Sequence, residues 1–112
     1  MREHLDDGFL ARFFTEEEAA YIRARGQQAA QSLAGIWAAK EAVLKALGTG
    51  IAFALREVEI SHTASGQPVV RLHGKAAEAA GDSGFLVSIT HEGGMAAAMA
   101  VRAGRSSLPP NL

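Results

Sequence analysis

The spacing of apolar positions along this chain changes from a helical period to a period of two after residue 56, dividing it into a helical half and a mainly extended half. Leu5, Phe9, Leu10 and Phe13 predict a short amphipathic helix over residues 3–13. Thr15, with Glu18 three residues on, reads as the capping box of a second helix. Glu16 and Glu17 suit its positive end, Arg23 and Arg25 its negative end, and Gly26 stops it. A long helix follows over residues 28–47, with Gly48 as its stop. Leu33, Ile36, Trp37, Val43, Leu44 and Leu47 supply its apolar surface, and Ala38, Ala39, Ala42 and Ala46 permit close packing. Gly35 costs ~1 kcal/mol against alanine in mid-helix, which points to a close backbone approach.

From Arg56 onward, Val58, Ile60 and His62 alternate with Glu57, Glu59 and Ser61, as in a half-buried strand. Residues 64–67 form a turn, and residues 68–73 return as a strand opened by Pro68. Residues 74–80 read as a short alanine-rich helix ended by Gly81. Residues 85–91 and 95–101 are two strands joined by Glu92, Gly93 and Gly94, although the alanines at 96–98 would suit a helix by propensity. A single domain over residues 1–103 is expected, followed by a disordered tail at 104–112 carrying Pro109 and Pro110.

Composition narrows the function classes. The chain of 112 residues is 48% hydrophobic, much of it alanine, so its core is thin and oligomerisation would add stability. It has no cysteine, which rules out disulfides and thiolate chemistry and fits a reducing cytoplasm. No apolar run approaches the ~20 residues that span a bilayer. A net charge of −1, without a basic stripe, gives no footing for nucleic acid.

The candidate chemistry sits in residues 37–50. Glu41 and Lys45 are four apart, so on a helix they project about 40° from one another on one face, just before Gly48-Thr49-Gly50. A carboxylate, an ammonium and a glycine turn could hold a divalent metal and a phosphate. The same residues also fit a surface ion pair and a glycine helix cap. Lys40, about 100° around the helix from Glu41, is either a secondary phosphate contact or a solvated side chain. Trp37 reads as core, with a cofactor contact as the alternative. His91 ends a strand where it could reach a bound nucleotide, whereas His4, His62 and His73 have no partners at ligand spacing.

The segment Trp37-Ala-Ala-Lys40-Glu41-Ala-Val-Leu-Lys45-Ala-Leu-Gly48-Thr49-Gly50 resembles the signature of the holo-[acyl-carrier-protein] synthases, the small 4'-phosphopantetheinyl transferases. The likeness runs in order from about Phe9 to Val101. It takes in the F-T-x-x-E pattern at 14–18, Ser32-Leu33-Ala34-Gly35, Val58-Glu59-Ile60 with Ser65-Gly66-Gln67-Pro68, and Val87-Ser88-Ile89-Thr90-His91-Glu92. It implies an α+β fold, a small antiparallel sheet on a long helix, assembled as a trimer, and it favours strand for residues 95–101.

The resemblance further implies transfer of 4'-phosphopantetheine from coenzyme A to a serine of an acyl carrier protein, with Mg2+ as cofactor. Glu41 would be the metal ligand, Glu41 and Lys45 the catalytic pair, and Lys45, Gly48, Thr49, Gly50, Ser88 and His91 the coenzyme A contacts. Three departures accompany it. The family's opening G-I-G-x-D strand, whose aspartate also binds magnesium, is not seen before Phe14, so weak metal binding and a slow or inactive enzyme are expected. The first helix carries Asp6 and Asp7 where the family shows arginine toward its acidic partner, and Ile36 stands where the family often has arginine. The alternative is a non-catalytic homologue that binds coenzyme A or serves as an oligomeric scaffold.

Overall fold

A computed structural model of the chain describes residues 7–48 and 55–104. Three helices come first: α1 (Asp7–Phe13), α2 (Glu16–Ala24) and the long α3 (Ala29–Leu47). Strands β1 (Val58–His62) and β2 (Pro68–Leu72), helix α4 (Gly74–Ala80), and strands β3 (Ser83–Glu92) and β4 (Met95–Gly104) follow. The predicted start of the first helix at residue 3 lies outside the described residues, as does the tail beyond 104. Gly104 itself is the last residue of β4, paired with Ser83. Among the described residues no helix is long and apolar enough to cross a membrane.

Local signals act as their chemistry predicts. Thr15 Oγ1 accepts the Glu18 N–H at 3.1 Å, and Glu18 Oε1 accepts the Thr15 N–H at 2.9 Å, closing the capping box. Gly48 ends α3 in the left-handed region at φ 81°, its N–H donating to the Lys45 carbonyl at 3.0 Å. Arg102 reaches the carbonyls at the ends of two helices, Leu47 in α3 and Ala79 and Ala80 in α4.

The strands form two antiparallel hairpins, β1–β2 and β3–β4, rather than one hydrogen-bonded sheet. Helix α3 packs mainly on β4 and β3. Along β4 the even positions Ala96, Ala98 and Ala100 face inward and are half-buried, whereas Met95, Ala97, Met99 and Val101 face solvent. The alanine run is therefore strand. Small side chains on the inner face let the helix approach closely, and that packing outweighs alanine's preference for helix. Gly35 is the matching feature on α3: a Cβ built there would lie 3.0 Å from Ile89 Cγ2 and 2.8 Å from His91 Nε2.

The core gathers Leu33, Ile36, Val43, Leu44 and Leu47 of α3 with Leu10, Phe14, Ile22, Val58, Ile60 and Phe85. Trp37 is half-buried beside it, stacked on Phe9 at 5.9 Å and edge-on to Phe13 at 5.5 Å.

Candidate active site on the long helix

The apolar stripe of α3 runs through positions 33, 36, 40, 43, 44 and 47, a helical repeat in which one member is a lysine. Lys40 is fully buried, as is Glu18, its partner from α2. Lys40 Nζ donates to Glu18 Oε1 at 2.6 Å and to the Val58 carbonyl at 2.6 Å, and lies 5.1 Å from the centre of the Phe14 ring. Glu18 Oε2 accepts the Ile60 N–H at 2.6 Å. Burial pushes the Glu18 carboxyl up and the Lys40 ammonium down, and each charge partly offsets the other's shift. Lys40 is thus neither a phosphate contact nor solvated, as the sequence reading had it, but the buried anchor between α3, α2 and β1. The signal was present in the stripe itself, because position 40 is four after Ile36 and three before Val43.

Glu41 and Lys45 face the other way. Both are exposed, and among the described residues neither has an ion-pair or hydrogen-bond partner, so the surface-pair alternative is not realised. A carboxylate and an ammonium held on one face without partners are free to meet a ligand. Gly48 is exposed at the end of the helix, its N–H used in the cap, and Thr49 and Gly50 lie outside the described residues.

Ser88 and His91 line a cleft of about 410 Å³ between the hairpins and α3, together with Tyr21, Arg25, Gly35 and His62. His91 Nε2 lies 3.0 Å from the Gln31 carbonyl and donates there in the tautomer that carries its proton on Nε2. His62, unassigned from sequence, stacks flat on Tyr21 at 4.1 Å, and its Nδ1 is buried without a hydrogen-bond partner among the described residues. Burial, reinforced by the Arg25 charge, holds His62 below the usual histidine range. On a regular helix Glu41 and Lys45 lie about 80–120° around α3 from Gly35, so the chain places these two groups on different faces. His73 pairs with Glu59 at 3.0 Å. Burial alone would raise the Glu59 carboxyl, but Thr15 and His73 together hold it below the usual range.

Among the described residues no three histidine, aspartate or glutamate side chains gather as a metal cage. Glu41 nonetheless suits magnesium, which is commonly held by one or two carboxylates plus substrate phosphates and water. Its carboxylate is exposed, has no partner among the described residues, and is the right donor type.

The chain is similar in sequence and fold to known proteins. The sequence profile of the 4'-phosphopantetheinyl transferase superfamily matches residues 1–97. A holo-[acyl-carrier-protein] synthase of Caldicellulosiruptor saccharolyticus is 40% identical over 98 residues, spanning 85% of this chain and 79% of its own. The crystal structure of the synthase from Neisseria meningitidis superposes with a TM-score of 0.76 at 31% identity, over 91% of this chain and 85% of that one. The Helicobacter pylori synthase in complex with coenzyme A gives 0.73 at 28% identity, over 86% and 82%. Match, identity and fold agree over most of the chain, and it belongs to the 4'-phosphopantetheinyl transferase superfamily.

Proposed function

We propose that Glu41 and Lys45 form the reacting face of an enzyme that transfers 4'-phosphopantetheine from coenzyme A to a serine of an acyl carrier protein. The transfer reaction follows from family membership and from relatives named holo-[acyl-carrier-protein] synthase. The assignment to these residues is carried by one observation: a carboxylate and an ammonium with no partner among the described residues share one exposed face of a helix whose opposite face is locked into the core.

The carrier serine oxygen attacks the phosphorus bearing pantetheine as its proton passes to a water molecule. A phosphorus–oxygen bond forms as the one to adenosine 3',5'-bisphosphate breaks, and negative charge grows on the departing oxygen. Such a reaction needs mainly positioning and charge neutralisation. Lys45 supplies a positive charge to the pyrophosphate, and Glu41 supplies the protein ligand for Mg2+. The chemistry magnesium contributes when bound is neutralisation of the same developing charge. Ser88 and His91 take the nucleotide side in the cleft, where the second His91 nitrogen donates to a phosphate when the ring is protonated.

Assembly belongs to the same proposal. Met95, Met99 and Val101 are 74%, 68% and 50% exposed on one face of β4, an apolar surface of the kind that marks an interface between subunits. A homotrimer meeting through that face agrees with the separation of Glu41 from His91 on α3, since a neighbouring copy could complete the site.

Carrier-protein modification followed over a range of MgCl2 concentrations tests the core of this reading. The rate should rise with magnesium, and Glu41→Gln, which keeps shape but loses charge, should abolish the rise. Full activity and an unchanged magnesium requirement in Glu41→Gln would remove the metal assignment.

A further inference from the structure

We infer that the buried Lys40–Glu18 pair is a positioning device for the reaction: it sets the rotation of α3 on β1 and so the direction in which Glu41 and Lys45 point. The inference rests on the assignment of Glu41 above and adds residues that touch neither substrate nor metal.

A buried ion pair is poor evidence for stability alone, because apolar groups of similar volume often serve as well or better. What an ammonium and a carboxylate add is direction. Lys40 Nζ meets Glu18 Oε1 and the Val58 carbonyl, both at 2.6 Å, while Glu18 Oε2 meets the Ile60 N–H at 2.6 Å. Three charge-assisted bonds thereby tie α3 to two alternate backbone positions of one strand, and the Thr15 N–H ties the same carboxylate to the start of α2 at 2.9 Å. Few rotations of α3 satisfy all of these at once, whereas methyl groups in a stripe bordered by small alanines would tolerate several.

Lys40 is the residue immediately before Glu41, so little chain lies between anchor and ligand to absorb an error. A side-chain tip lies about 6 Å from a helix axis, and a 20° turn of α3 would therefore move it by about 2 Å. Displacements of ~1 Å in a reacting group can cost about a hundredfold in rate. Trp37, the only tryptophan, sits one turn before Glu41 against Phe9 and Phe13 and reports the same rotation.

The test compares wild type with Lys40→Met/Glu18→Gln, which removes both charges together; the amide keeps one acceptor oxygen, enough for only one of the Ile60 and Thr15 N–H groups. Two readouts are followed in the full chain: the half-saturating MgCl2 concentration at saturating coenzyme A and carrier protein, and acrylamide quenching of Trp37. The half-saturating concentration should rise at least about tenfold, the scale on which disturbing a ligand's supports weakens a metal site, and Trp37 quenching should increase. A folded double variant with the wild-type magnesium requirement overturns the inference.

If the double variant does not fold, Lys40→Arg keeps the charge but changes its geometry. It should show a smaller shift in the same direction, and an unchanged requirement there overturns the inference too. Glu41→Gln is run alongside. If it fails to alter the magnesium dependence, the Glu41 assignment is at fault, and Trp37 alone then decides: unchanged quenching in the anchor variants overturns the positioning role.

Discussion

Replacing Gly35 by alanine sets two effects of known sign against each other. Helix propensity favours alanine by ~1 kcal/mol. Packing opposes it, because the new Cβ would lie 2.8 Å from His91 Nε2, 3.1 Å from His91 Cε1 and 3.0 Å from Ile89 Cγ2. Carbon contacts are comfortable at about 3.5–4.0 Å, so both side chains must retreat by half an ångström or more. The His91 ring is exposed and can swing away, at the loss of its Gln31 hydrogen bond, about 0.5–1.5 kcal/mol. Ile89 is half-buried on the face of β3 toward the core, where overpacking typically costs 1–3 kcal/mol. Summed, Gly35→Ala should destabilise the chain by about 0.5–3.5 kcal/mol, lowering the melting temperature by roughly 2–20 °C for a domain of this size. Urea and thermal unfolding of Gly35→Ala, His91→Ala and the double variant provide the assay. Alanine at 35 should cost clearly less when His91 is already truncated, a coupling of 0.5 kcal/mol or more. The reasoning is refuted if Gly35→Ala is as stable as wild type, or if the two substitutions simply add.

Two further outcomes follow from the site. His62 is held below its usual 6.5 by burial and by Arg25, so its contribution is intact above that value and is lost as the pH falls through it toward the lower folded value. Urea midpoints at pH 7.5 and 5.5 should therefore diverge more in wild type than in His62→Phe, which can still stack on Tyr21; equal divergence would show that His62 does not carry the effect. Met99→Glu places a charge in the apolar face of β4 and should reduce the particle seen by light scattering to a monomer, whereas a wild type that is already monomeric at all concentrations rules that face out as an interface.

Local order was largely legible in the residues themselves. The Thr15–Glu18 box, the Gly48 stop, the alternation from Val58 and the glycines at 93–94 are short-range signals, each acting on a backbone a few residues away. Their elements therefore appear at the predicted places, although β3 starts two residues earlier and β4 ends three residues later than the alternation suggests. Glu41 and Lys45 were legible as a shared face for the same reason, since helical geometry alone puts them there. Gly35 announced a close approach, although not to what.

Tertiary structure decided matters that depend on residues distant in the chain. Position 40 reads as one charged residue among several near the signature, until the stripe of α3 is turned inward and a carboxylate from 22 residues earlier meets it at 2.6 Å. His91 gained its Gln31 partner across 60 residues, and Tyr21 its stack on His62. The alanines at 96–98 became strand because a helix had to approach closely on one face, a demand that no local propensity expresses. Periodicity fixes which face a residue occupies. Only packing decides what that face meets, and there a buried charge must find its opposite or be expelled.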